Sequence, residues 1–266
     1  MINRTKDGTI YTLGGPARAP VLVLIHGLGL NHHSWDLHVP ALSSHYRVLT
    51  YDLSGHGESA PPNGKPSLTI FSEQLYLLLG ALEIEHCAVA GFSLGGMINR
   101  RFVMDNPGIV TALGIFNSPH ERGAEDQKLV EDRAVQTGVN GLAAMLDSTI
   151  ERWFTPAFRI QRPDVIYQVS KWVLANDPAL FAQTRSVLAH GVKELIRPIP
   201  PIKVPALIMT CENDKGSSPA MSRAIAAEIQ GARIMVVPQL QHMGILERPS
   251  LFTGPLLQFL GDVLIK

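Results

Sequence analysis

Cysteine is scarce in this chain of 266 residues: there are only two, Cys87 and Cys211. Each lies beside an apolar run, where a reduced thiol acts as a small hydrophobe. So few thiols exclude a disulfide framework and a cysteine-based metal shell. Charge is sparse too. Charged residues make up 17% of the chain, below the roughly 25% of ordinary soluble domains. Lysine plus arginine and aspartate plus glutamate each total 23, so the formal net charge is zero. That balance offers no electrostatic reason to expect nucleic acid or an anionic membrane as a partner. No apolar run approaches the roughly 18 residues that span a bilayer, and "MINRTKDGTIYTLGG" lacks the basic-then-apolar pattern of a secretory leader. The expectation is a cytoplasmic protein with a small-molecule partner.

Apolar residues are plentiful, at 45%, enough for a large core in one domain with an inserted lobe. Continuous apolar runs fall at Val21–Ile25, Arg47–Tyr51, Cys87–Ala90, Ala112–Phe116, Ala206–Thr210 and Arg233–Val237. Strands buried on both faces read this way, because helices cover both sides of a parallel sheet. Between the second and third runs, Phe71, Leu75, Leu78, Leu79 and Leu82 recur at helical spacing, with Thr69 placed to cap the start. The rhythm is that of an α/β, doubly wound, mostly parallel sheet. It stops after Phe116 and resumes at Ala206. Residues 120–198 between them read as an all-helical lobe with breaks at Gly138, Pro156, Pro163 and Pro178. The core would comprise residues 1–119 and 199–266. The C-terminal "RPSLFTGPLLQFLGDVLIK" reads as a helix that Gly254-Pro255 either starts late or kinks.

One short stretch, "AVAGFSLGGM", places Ser93 among Gly91, Gly95 and Gly96 between a strand and a helix. Such a turn forces the apical residue into a strained backbone and points its side chain off the sheet edge. It also presents the backbone NH of Leu94 at a helix amino end, where a developing oxyanion is favoured. A serine hydroxyl is a poor nucleophile at neutral pH without a base and an orienting acid. Of ten histidines, only His242 follows the final strand-like run closely. Glu212 and Asp214 both follow the run before it; Asp214 is better placed, in a turn rich in Asn213, Gly216, Ser217 and Ser218. A second oxyanion donor is expected at the NH of Leu28, in the tight turn His26-Gly27-Leu28-Gly29. His32 and His33 invite a metal reading, but adjacent histidines face different ways and no ligand set completes a shell. One of them, or Trp35, is a candidate pocket wall. No cofactor and no metal is expected.

The set "HGLG", "YDLSGHGES", "GFSLGG", "END" and "QHMGILERP" resembles the α/β-hydrolase superfamily over nearly the whole chain. That resemblance implies the α/β-hydrolase fold with a helical cap inserted after its sixth strand. It also implies that Asp52 and His56 fix a loop and take no part in chemistry. Haloalkane dehalogenases of this fold carry aspartate where this chain has Ser93, so the serine points to acyl chemistry. "FNSPHERG" and "ERWFTPAF" resemble the cap of 3-oxoadipate enol-lactonases and related serine carboxylesterases, which would set Trp153 over the pocket. Two departures stand out: some enol-lactonases have Asn-Ser at His26-Gly27, and a glycine at Cys211. An oxoadipate enol-lactone carries a carboxylate, for which Arg122 is the first candidate cation. The expected function is a carboxylic ester hydrolase, an esterase or lactonase. The shared triad leaves open C–C bond hydrolysis and cofactor-free haloperoxidase or perhydrolase chemistry, and the fold also serves small-ligand receptors.

Overall fold

The computed structural model describes residues 2–264. Eight strands form one sheet: β1 (Ile2–Arg4), β2 (Ile10–Gly14), β3 (Val21–Ile25), β4 (Arg47–Tyr51), β5 (Cys87–Phe92), β6 (Val110–Phe116), β7 (Ala206–Cys211) and β8 (Arg233–Val237). Their order is β1-β2-β4-β3-β5-β6-β7-β8. The pairs β1–β2 and β2–β4 are antiparallel and every later pair is parallel. Parallel strands need crossovers that cover the sheet, so β5 and β7 are buried along their whole length. Alternate side chains of one strand enter opposite layers. Val23, Ile25, Val89 and Leu113 pack in one core, while Leu22, Leu24, Ala88, Ala90 and Phe116 pack in the other.

The helices are α1 (Val39–Leu42), α2 (Leu68–Ala81), α3 (Leu94–Asp105), α4 (Ala124–Trp153), α5 (Pro156–Gln161), α6 (Pro163–Leu174), α7 (Pro178–His190), α8 (Pro219–Glu228), α9 (Gly244–Glu247) and α10 (Ser250–Leu264). The apolar stripe of α2 buries Phe71, Leu75, Leu78 and Leu79 as its spacing requires. Its cap is Ser67, not Thr69: the Ser67 hydroxyl accepts from the Ile70 NH at 3.1 Å, and Thr69 lies within the first turn. The helix begins two residues earlier because Ser67 is the residue with extended backbone.

Helices α4 to α7 stand between β6 and β7. Pro156, Pro163 and Pro178 each occupy the start of a helix, where a missing NH costs nothing. Gly138 does not interrupt α4; the kink falls at Gly141, with φ 77° and ψ 172°, a backbone that only glycine adopts easily. This lobe is tied to the sheet edge by Glu247, which accepts from the NH and hydroxyl of Thr155 at 2.8 and 2.7 Å, and by the Met243 NH donating to the Trp153 carbonyl at 2.8 Å. At the other end of the chain, α10 runs from Ser250 straight through Pro255. The helical reading of Ile265 and Lys266 lies outside the described residues. None of the described helices is long and apolar enough to cross a membrane.

Trp35 corrects one expectation. It is fully buried, with its ring 5.2 Å from His38 and 6.5 Å from Phe116, and it lines no part of the cleft above Ser93. The loop after β3 lines the cleft as far as Leu30, and the short turn His32–Trp35 beyond it carries the Trp35 ring into the core. Replacing Trp35 by alanine is expected to lower the unfolding free energy by about 3–5 kcal/mol, read by urea titration. Unchanged stability with a raised KM would instead return Trp35 to the substrate pocket.

Candidate active site

The strands β3, β5, β6, β7 and β8 end side by side, with Ile25 level with Gly91, Phe92 with Phe116, and Cys211 with Val237. Loops leaving these ends therefore meet at one sheet edge, where ligands of open α/β sheets bind. Ser93 is the single residue between β5 and α3 and has φ 55° and ψ −111°. A side chain tolerates that backbone only when its surroundings impose it. A Cβ on Gly91 would overlap the Gly95 carbonyl, one on Gly95 would overlap the Ile25 carbonyl, and one on Gly96 would come within 2.6 Å of the Ser118 Cβ. All three glycines are thus required by close approach of chain to chain.

His242 and Asp214 reach the same point from the loops after β8 and β7. The Ser93 Oγ lies 3.1 Å from His242 Nε2, and His242 Nδ1 lies 2.6 Å from Asp214 Oδ2. Asp214 Oδ1 accepts the backbone NH groups of Gly216 and Ser217 at 2.9 and 3.0 Å, as the turn composition implies. Because the carboxylate only accepts, His242 carries its hydrogen on Nδ1 and turns a lone pair towards the serine. Glu212 is exposed and accepts from the Gln239 NH at 2.9 Å; it makes no bond to His242. A further residue, unforeseen in the sequence, completes the acid's shell: Asn117 Nδ2 donates to Asp214 Oδ2 at 2.8 Å. Asn117 follows β6 directly and has φ 46°, a conformation asparagine tolerates better than most residues; its place straight after an apolar run was the available signal.

The loop after β3 lies against the serine. A Cβ on Gly27 would sit 3.3 Å from the Ser93 Cβ, and Gly29 has φ 75°. His26 holds this loop. Its Nε2 accepts from the Leu53 NH at 2.9 Å, so Nδ1 bears the hydrogen and donates to the Gly27 carbonyl at 2.8 Å. Burial pushes the His26 pKa down to about 4 and keeps the ring neutral. Asp52 accepts from the NH and ring of His32 at 2.8 and 2.7 Å and from the Glu58 NH at 3.0 Å. Burial works against the Asp52 charge, but these bonds outweigh it and hold the carboxyl below its ordinary value. His32 is thereby committed to Asp52, and the exposed His33 sits 2.8 Å from Asp36. Neither lines the cleft, and among the described residues no group of side chains could hold a metal ion.

A cleft with two arms opens above Ser93. Both arms share Ser93, His242, Trp153, Arg152, Arg185 and Leu188. Trp153 closes over the site, its ring 6.1 Å from that of His242. The arm beside Gly27 and Leu28 is walled by Leu30, Leu142, Leu146, Val173 and Phe181. The arm beside Asp214 adds Arg122 and Arg133. Arg122 is therefore at the cleft, but Arg152 and Arg185 are closer to its centre, touching both arms. Only their folding together from distant turns of α4 and α7 reveals them.

This is the architecture of a hydrolase built on a strand–serine–helix turn. A model of the "Alpha/beta hydrolase family" matches residues 22–253, and the chain belongs to that family. It is 30% identical over 251 residues to "3-oxoadipate enol-lactonase 1" of Acinetobacter baylyi, covering 94% of this chain and 92% of that one. It is 25% identical to the same organism's "(E)-2-((N-methylformamido)methylene)succinate hydrolase", covering 86% of each. Among solved structures, the enol-lactonase from Burkholderia xenovorans LB400 superposes with a TM-score of 0.88 at 27% identity, covering 98% of this chain and 99% of that one.

The buried histidines make stability depend on pH. Burial depresses His26 and His38 to about 4 and His56 to about 3, from an ordinary 6.5. Unfolded, each takes up a proton near pH 6.5; folded, each refuses it. Full stability is present above that value and is lost as pH falls towards 4. His32 has the opposite sign: Asp52 raises its pKa against burial, so its contribution is complete at acid pH and fades as pH rises through the raised value. The melting temperature is expected to fall steeply between pH 6.5 and 4.5. A flat profile across that range would show that these rings protonate freely in the fold.

Proposed function

We propose that the chain is a serine hydrolase that cleaves a small carboxylic ester or lactone through an acyl-enzyme. The observation that carries this reading is the continuous chain of bonds from Ser93 Oγ to His242 Nε2 and from His242 Nδ1 to Asp214, at 3.1 and 2.6 Å. Ser93 attacks the carbonyl carbon while His242 takes its proton. Asp214, fixed by Asn117, Gly216 and Ser217, keeps the imidazole oriented and stabilises the imidazolium. The backbone NH groups of Leu28 and Leu94 stabilise the tetrahedral oxyanion; the Leu94 NH, at the first turn of α3, has no intrahelical acceptor. His242 then protonates the leaving oxygen as the carbon–oxygen bond breaks. Water, deprotonated by the same ring, releases the acid and restores Ser93. The core of residues 1–119 and 199–266 supplies these groups, and residues 120–198 act as the cap that covers them. The relatives named above make 3-oxoadipate enol-lactone the first substrate to test.

The experiment compares kcat/KM for that lactone and for an aryl acetate in the wild-type chain and in Ser93→Ala. Loss of a triad serine costs about 10⁶-fold in other hydrolases, and a loss of at least 10⁴-fold on either substrate is expected here. A loss below tenfold removes Ser93 from its role. Lactone preference places the physiological substrate among enol-lactones, and aryl ester preference among simpler esters. Turnover of neither by the wild-type chain favours C–C bond hydrolysis on the same triad.

A further inference from the structure

The arginine arm of the cleft carries more positive charge than its neighbours cancel. Among the described residues, the side chains of Arg133, Arg152 and Arg185 make no hydrogen bond and no ion pair, unlike Arg101, Arg162 and Arg233, which each sit against a carboxylate. Two exposed acids lie on the surface beside Arg133 and Arg152, but Asp132 is 3.0 Å from Lys128 and Glu151 is 3.9 Å from Arg159. Arg122 has its own partners in Gln127, at 3.4 Å, and the nearby charge of Asp126. The remaining carboxylate on this wall is Asp214, whose charge acts on Arg152. Three guanidinium groups against one carboxylate leave two positive charges uncompensated.

Nor is Arg185 spread into solvent. Arg185 is only 8% exposed and packs beside Trp153 and Leu188 around the cleft. Burial, then mutual repulsion, lowers Arg152 and Arg185 to about 10, which leaves both protonated at neutral pH. Three like charges facing one half-closed space are unfavourable in the empty protein unless something used by the site supplies the opposite charge.

We propose that this arm is a subsite for a dianion carried on the leaving portion of the substrate, held by Arg133, Arg152 and Arg185, with an apolar acyl portion in the other arm. The inference rests on the acyl-transfer reading for the word "leaving" and on the arginines alone for the dianion. The side is set by proton delivery. His242, Arg152 and Arg185 line both arms, but only the arm with Arg133 reaches Asp214, Gly216 and Ser217 behind the His242 ring, whereas the apolar arm adjoins the Leu28 loop, so a leaving oxygen that faces His242 carries its substituent to the Arg133 side. Arginine forks match carboxylate and phosphate oxygens in pairs, so the two charges can come from two carboxylates or from one phosphate.

The binding test titrates succinate, inorganic phosphate and butyrate into the wild-type chain by calorimetry at constant ionic strength. Succinate or phosphate is expected to bind at least tenfold more tightly than butyrate, and whichever is tighter identifies the source of the charge. Arg185→Gln is expected to weaken that binding at least tenfold, with Arg133→Gln, at a half-exposed position, as the second variant should the first not fold. Equal binding of butyrate and succinate, or dianion binding unchanged in folded variants, overturns the subsite. These measurements need no turnover, so they stand whether or not Ser93→Ala abolishes hydrolysis. The side is tested by kcat/KM for O-acetylmalate, with two charges on the alcohol portion, against monomethyl tricarballylate, with two charges on the acyl portion. At least a tenfold preference for O-acetylmalate is expected; the reverse preference overturns the placement on the leaving side.

Discussion

The backbone of Ser93 is the constraint on which the rest of the site depends. At φ 55° it occupies a conformation that costs a side chain on the order of 1–3 kcal/mol, and that cost is met by surroundings that leave it no alternative. Strand β5 is buried along its length and paired on both sides, so the chain arrives in a fixed direction. Helix α3 begins at the next residue and lies so close to β5, to β3 and to Ser118 after β6 that Gly91, Gly95 and Gly96 admit no Cβ. Relaxing the serine would require moving a helix against two strands. Parallel register then brings the ends of β3, β6, β7 and β8 level with it, and the loops that leave those ends inherit their positions from the sheet.

A second layer of constraint lies behind the loop that follows β3. His26, Asp52 and the Leu53 NH form a buried polar set whose bonds run from that loop to the one after β4. A buried neutral imidazole with both nitrogens satisfied is a rigid strut, and it is useful only while it stays neutral. The same burial that fixes the Leu28 loop therefore makes the fold sensitive to acid. Asn176 adds a tie from the lobe, donating to the Gly29 carbonyl at 3.2 Å, so the lobe also bears on the position of the loop beside Ser93.

Legibility from the sequence follows how local each signal is. The central strands announce themselves as continuous apolar runs, and Ser93, Asp214 and His242 each sit within a few residues of one. Strands β1 and β2 are short and half exposed, with neither a continuous run nor a clean alternation, and nothing in them stands out. The cap of α2 lay two residues before the expected Thr69, and the kink of α4 three residues beyond Gly138, because either serine or threonine can cap and either glycine can bend; packing decides. Trp35 follows the loop expected at the cleft, yet its own ring belongs to the core. Asn117 stands 97 residues from Asp214, and the arginines come from turns far apart in α4 and α7. No pattern within a single segment encodes such convergence.

The charge of the cleft bears on the chemistry as well as on binding. In the proposed acyl transfer, Ser93 gives its proton to His242, which then becomes a cation beside guanidinium groups that already lack partners. Asp214 offsets one charge and is held in place by four hydrogen bonds, from His242, Asn117, Gly216 and Ser217. With an uncharged ester in place, the proton transfer adds positive charge to an arm that is already positive, and the barrier rises. A dianion in the proposed subsite neutralises the arm before the proton moves, so the histidine charges in a balanced environment. Selection for the charged substrate then acts on the rate of acyl transfer and not on affinity alone, because the groups that would hold the leaving portion also set the field in which His242 works.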